Sequence, residues 1–558
     1  MKPVNQNQNE TLTRRKWLGK LSVPAAAVLG VPLLGNEVFA ARKEEQPLSS
    51  LGQKIFNVKD FGAKGDSTTL DTVAVQTAID KCAEAKEGIV LIPEGTFIIG
   101  TIRLKDYVTL HLSAGGVLKG SPKREDYTAG EGIPTGNGNI VMLYASNARN
   151  VSITGTGTID GNGEAFFTGK GDNTGPNSTG GGYFDRPHLL IFYKCNQLRL
   201  EDTFYTKSAY HCFRILQCEQ VDINGVVIYN RVNRNNDGFH FNSCKYVHVT
   251  NCDVRCQDDA CALFGSNQFV TISNSSFSTR WSIFRFGSGD PQNITISNCI
   301  IYDTYGCAIK ISSGNVRLEN FIFSNIVMRN VTGPIGIGFG GSTNAQDKVY
   351  MKNLIFSSIT AQVVNKPQEH PDIKFSLNIF PGEHYSCITL NALKGHYIEN
   401  VTFSDIHVQY QGGGSKELAQ KQNIPQKSRE YFTVWEEEPF GPPAYGFYAR
   451  NVKNLRLNNI RLEYDEPDAR SAMILENVQE AQMGNIALKG GMEAEATIQL
   501  KGCSDIIFTS PMLLSSSQAF LKLEESKNIV VDGGLIQKAK KKVVFGKNSS
   551  IKDILLRV

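Results

Sequence analysis

The chain has 558 residues, with 58 Lys plus Arg against 54 Asp plus Glu for a formal charge of +4. So small an excess excludes a strongly basic nucleic-acid binder, and 41% hydrophobic with 9% aromatic residues excludes a disordered chain. With 52 Gly and only 20 Pro, many tight turns are expected, without the Pro-rich linkers that would separate several domains.

In chain order, the first segment reads as an export signal. Thr13-Arg14-Arg15-Lys16-Trp17-Leu18 precedes an uncharged stretch from Leu21 to Gly35, and Val38-Phe39-Ala40 places small residues where a signal peptidase cuts. The pattern resembles a bacterial twin-arginine signal over residues 1–40, followed by a linker at 41–53 and one domain over 54–558. The apolar run of about 15 residues falls short of the roughly 20 that span a bilayer, so no stable membrane insertion is expected after cleavage. The mature, nearly neutral protein is expected in the periplasm or outside the cell.

Within 69–85, Val75, Ala78, Ile79 and Cys82 fall at i, i+3, i+4 and i+7, the stripe of an amphipathic helix suited to capping an open end. Beyond residue 190 a short motif, apolar-x-apolar followed by Asn, Asp or Gly, returns every 22 to 26 residues at Leu198-Leu200, Val221-Ile223, Val247-Val249, Val270-Ile272, Ile294-Ile296 and Val316-Leu318. It continues at Leu354-Phe356, Val401-Phe403, Leu455-Leu457, Ile506-Phe508 and Ile529-Val531. Apolar alternation over a strand's length, recurring at that period, predicts an all-β fold, a parallel solenoid with coils about 4.8 Å apart. Leucine-rich repeats share the period but carry a Leu-rich consensus and a helix per repeat. Asn251, Asn274, Asn298 and Asn320 suit turns that need left-handed backbone. The longest insertion, roughly 410–445, carries Tyr431, Phe432, Trp435 and Glu436-Glu437-Glu438, a loop placed for substrate contact. The twelve Cys show no metal-ligand spacing; most are expected in the core, with room for one or two disulfides.

Asn235-Asn236-Asp237-Gly238 and Gln257-Asp258-Asp259-Ala260 lie one period apart, so one turn of the solenoid brings three carboxylates to a common groove. Taken singly, the first is an ordinary turn and the second a solvated loop. At coil spacing they supply what glycosidic hydrolysis requires, one carboxylic acid to protonate the leaving oxygen and a carboxylate to take a proton from water. Like charges held close raise the pKa of one member, which lets acid and base coexist.

Further segments, Phe56 to Asp66, Gly155 to Gly163, Arg186-Pro187, Ser208-Ala209-Tyr210 and Ile223-Asn224-Gly225, complete a resemblance to glycoside hydrolase family 28, the polygalacturonases and rhamnogalacturonan hydrolases, over most of residues 54–460. The resemblance implies a single-stranded right-handed parallel β-helix with an N-terminal capping helix. It makes Asp258 the general acid, with Asp237 and Asp259 positioning and activating water, and implies no metal and no cofactor. Asn235 and His240 beside Asp237 are candidate substrate-binding residues. Where the family has Gly-His-Gly, this chain reads Thr279 to Ser288, which puts Ser282 in place of the His; where it has Arg-Ile-Lys, Ala308-Ile309-Lys310 keeps only the Lys. Lys310 is thus a candidate ligand for a sugar carboxylate, and Arg285, one coil earlier, a candidate to compensate for the missing Arg, with Arg280 a weaker one. Trp281 and Phe284 would either stack on sugars or pack in the core.

The expected function is an exported, inverting glycoside hydrolase acting, as a monomer, on a pectic or related acidic polysaccharide from plants or algae. A lyase or epimerase on the same scaffold would need a base near C5 of a uronic sugar and often Ca²⁺. A non-catalytic carbohydrate-binding solenoid is the third possibility.

Overall fold

Strands that bury alternate residues can close on a partner across a hairpin or on one a full turn of chain later, and this sequence takes the second course throughout. The computed structural model describes residues 54–134, 139–166, 186–313 (Ser313 by its backbone only), 316–340, 349–366, 370–373, 386–420 and 442–558. The expected signal, the linker and the cluster from Tyr431 to Glu438 lie outside these residues. The ladders between strands run parallel, and each coil pairs with the next. One column of side chains passes through Leu198, Val221, Val247, Val270, Ile294, Phe321, Leu354, Val401, Leu455, Ala481, Ile506 and Ile529. The fold is a single-stranded right-handed parallel β-helix, the hand that parallel crossovers adopt.

The column corrects one anchor. Val316-Leu318 does not follow Ile294-Ile296; Phe321 and Phe323 do. Both pairs alternate and both are buried, so the segment offers two frames five residues apart, and the turn decides between them. Asn298 donates from Nδ2 to Asn274 Oδ1 at 3.3 Å and accepts from Asn325 at 3.1 Å. Asn320 belongs to a second ladder, between Asn293 and Asn353. These residues hold left-handed φ near 50–60°, where an Asn side chain satisfies its neighbour while the backbone turns.

A helix, α1 (Thr72–Ala85), buries Val75, Ala78, Ile79 and Cys82 completely against the first strands. All twelve Cys are buried as free thiols, so neither of the two disulfides allowed for is present. None of the described helices is long and apolar enough to cross a membrane.

Five strands carry the coils around the expected carboxylates: β1 (Phe213–Leu216), β2 (Phe239–Asn242), β3 (Cys261–Phe264), β4 (Phe284–Phe286) and β5 (Gln292–Ser313). Phe239, Cys261, Phe284 and Ile309 stack inward in register. The next residue of each strand, His240, Ala262, Arg285 and Lys310, therefore faces outward in a second column.

Candidate active site

The carboxylates stand on the turns that enter β2 and β3. Cys212 N–H donates to Asp237 O at 3.3 Å, Gly238 N–H to Asp259 O at 2.9 Å and Ala260 N–H to Ser282 O at 2.9 Å. His211, Asp237, Asp259 and Ser282 thus occupy one column on four successive coils, with Asp258 beside Asp259. Gly238 is required by this stacking, because a Cβ there would meet Ala260 O at 2.4 Å. The buried Asn236 staples the turn: its Oδ1 accepts from Val232 and Asn233 N–H at 3.0 and 2.7 Å, and its Nδ2 donates to Ser208 O and Tyr210 O, both at 2.9 Å.

Asp258 retains partial exposure. Its Oδ1 accepts from Asp259 N–H at 2.8 Å and its Oδ2 from Asn235 Nδ2 at 3.4 Å, while Thr279 donates to its carbonyl. Asn235, in left-handed backbone, is itself held by Arg186 Nη2 at 3.2 Å. Asp259 is ion-paired through Oδ2 with Arg285 Nη1 at 2.8 Å, and its buried Oδ1 makes no hydrogen bond among the described residues. Asp237 lies between two imidazoles, with His211 Nε2 3.8 Å from Oδ1 and His240 Nδ1 3.4 Å from Oδ2. Lys310, 4% exposed, sits in register beside Arg285 with its ammonium 5.1 Å over the ring of the partly exposed Trp281. Phe284 is fully buried in the core.

Burial, reinforced by the charges of Asp237 and Asp259, pushes the Asp258 carboxyl well above the usual range; Arg285 offsets part of this. Asp237 is raised in the same way, first by burial and then by Asp259. Burial acts oppositely on the imidazoles, holding His211 well below its ordinary value and His240 down to about 3. One atom each of His211, Asp237 and His240 lie within 4.8 Å of one another, close enough to share a cation. However, the two rings stack at 21° with centroids 5.1 Å apart and address different oxygens of Asp237 rather than a common point, and Arg214 and Arg285 already bring positive charge to the cluster.

The sequence profile of Glycosyl hydrolases family 28 matches residues 82–429, more than half of the chain. The chain belongs to this family. Polygalacturonase-2 of Solanum lycopersicum is 23% identical over 336 residues, 56% of this chain and 70% of the relative. A polygalacturonase of Fusarium fujikuroi is 27% identical, covering 41% of this chain and 67% of the relative. Among solved structures, a tailspike protein of E. coli bacteriophage HK620 in complex with a hexasaccharide superposes with a TM-score of 0.54 at 12% identity, over 91% of this chain and 81% of that one, a likeness of fold. The family 28 chain is accordingly a glycosidase.

Within this family 28 fold, Asn235, Asp237, Asp258 and Asp259 converge with His240 and Arg285, and Lys310 lies one coil on. Ser282, expected from the sequence to stand in place of a histidine, is 1% exposed with a hydroxyl that finds no partner among the described residues. Arg280 lies over the ring of Tyr305 at 5.4 Å. Sequence reading missed His211 and Arg214. His211 directly follows the Ser208-Ala209-Tyr210 landmark and stands one coil before Asp237, a relation visible only once the register is known.

Proposed function

We propose that this family 28 glycosidase is an exported, inverting hydrolase of a galacturonate-containing pectic polysaccharide. The observation that carries the reading is the stacking of Asp237 under Asp259 with Asp258 alongside, one coil apart, beside the cation column of Arg285 and Lys310. Asp258, proton-laden because burial and two neighbouring carboxylates oppose its charge, donates to the glycosidic oxygen. Asp237 repels Asp258 and is raised with it, so the pair holds one proton; with that proton on Asp258, Asp237 is the carboxylate that, with the open oxygen of Asp259, takes up the attacking water and its proton. A coil spacing of about 4.8 Å with a sideways offset leaves room for that water, as inversion requires. Lys310 meets a sugar carboxylate as a point charge, since Arg285 is already engaged by Asp259. The polygalacturonase relatives support the substrate class, and Arg14-Arg15 with the apolar run after them supports export.

The test is hydrolysis of pectic fragments, including galacturonan and rhamnogalacturonan types, with NMR of the first-formed anomer. The wild type should release reducing ends of inverted configuration, detected outside the cytoplasm of the producing cell, and Asp258→Asn should lose at least about 1,000-fold in kcat while remaining folded. Retention of configuration, or an ultraviolet-absorbing unsaturated product, would overturn the mechanism in favour of a double displacement or a lyase.

A further inference from the structure

One coil beyond Asp259 the column holds Ser282, a hydroxyl rather than an imidazole. This chain instead has imidazoles on the other side of the carboxylates. His211 lies directly beneath Asp237 in the acidic column, and His240 stands beside it on β2. The three residues are 6%, 5% and 8% exposed. Each ring has a nitrogen close to a different carboxylate oxygen, at 3.8 and 3.4 Å; the buried His240 Nδ1 makes no hydrogen bond among the described residues, and a small turn of each ring with a shift of less than about 1 Å converts both contacts to hydrogen bonds.

We propose that His211 and His240 are positioning residues that hold the Asp237 carboxylate between two neutral N–H donors so that it accepts the proton of the attacking water. His211 carries its proton on Nε2 and His240 on Nδ1, the nitrogens facing Asp237. The surroundings favour neutral rings: His211 faces His188, Arg214 and Arg186 as well as His240, and His240 faces Arg214, Arg285 and Asp259. Asp237 itself faces Asp259, Arg285 and Arg214, and its charge bears on Asp258. Arg214 also donates from Nη1 toward His188 Nε2 at 3.4 Å, which makes that nitrogen the acceptor of the pair, and the His188 ring lies edge-on to His211 with centroids 5.0 Å apart. The inference rests on the reading of Asp237 as a water-activating group.

Two N–H donors favour the charged form of Asp237, so their loss raises its pKa and moves the acid limb of the kcat profile to higher pH. His211→Ala and His240→Ala should each lower kcat about 10- to 100-fold with KM changed less than about twofold, and shift that limb up by about one pH unit. His211→Gln, whose amide nitrogen replaces Nε2, and His240→Asn, whose amide nitrogen replaces Nδ1, should restore the limb. An unmoved limb, with the amide variants no better than Ala, would overturn the assignment. A substrate-free measurement stands beside it: ¹⁵N spectra of histidine-labelled wild-type protein, assigned with the amide variants, should show His211 as the Nε2–H and His240 as the Nδ1–H tautomer at pH 7. The opposite tautomers would refute the proposal even where hydrolysis is normal. If no pectic fragment is cleaved, the proposed function fails while the tautomers still decide this point.

Discussion

Asp237 and Asp258 bind their protons more tightly in the folded chain than in the unfolded one, because burial and mutual repulsion oppose their charged forms. A carboxyl whose folded pKa is raised favours the folded state below its unfolded value, here 3.8, and loses that contribution as pH rises toward the folded pKa. At neutral pH the cluster is therefore held together at a cost to stability. Asp258→Asn should raise the unfolding midpoint by about 1–2 °C at pH 7, and calorimetry at pH 3 should find the gain gone. His240 has the opposite sign: its pKa falls from 6.5 to about 3 on folding, so stability declines as pH drops from 6.5 toward 3. At this scale the three Asp and Lys310 were legible because each stands in a short local motif. His211 was not, since its relation to Asp237 spans a whole coil, and Arg285 was legible as a cation but not as the partner of Asp259.

Among the elements, the strands were legible wherever a β-branched or aromatic pair repeats, and obscure where it does not. Ala481 occupies the anchor column between Leu455 and Ile506 yet is too small to signal a strand. The slip at Val316 has a similar cause, two apolar pairs within one segment. Contacts made by loops left no local trace at all. Tyr229 donates to Asp372 across 143 residues, and Arg231 reaches His370 Nδ1 at 2.8 Å, fastening the described residues around His370 to the coils that carry the candidate carboxylates. The inward faces carry a stack that local pattern does suggest: Phe356 lies between Phe323 and Phe403, with centroids 5.1 and 4.6 Å away and planes within 3° and 12°. Phe356→Ala should cost about 3–5 kcal/mol. Since coils contact only their neighbours, hydrogen exchange should accelerate in the strands of Phe323, Phe356 and Phe403 well before it does in distant coils.

Over the whole molecule, the period, the parallel pairing and the position of the groove follow from one repeated instruction, an apolar pair and a turn, and this is why the architecture could be read from the chain. With a net charge of only +4, a grip on an acidic polymer must come from placed cations rather than from a general field. The sealed thiols carry a different consequence. All twelve are buried; burial pushes Cys82 up to about 11 and Cys252 and Cys503 up to about 12, and although hydrogen bonds with Cys218 lower Cys195 and Cys244, these too are sealed from a dissolved oxidant. Once unfolded, the same chain exposes twelve reactive groups with no native partner to choose, and any disulfide traps it outside the fold. Heating in air should therefore destroy activity irreversibly, whereas heating and cooling under a thiol reductant should return most of it; equal recovery in both would contradict the argument. For such a protein, durability in an oxidising medium is a matter of never letting go: its lifetime there is set by how rarely it opens, and the time to acquire the fold is before the first encounter with oxygen.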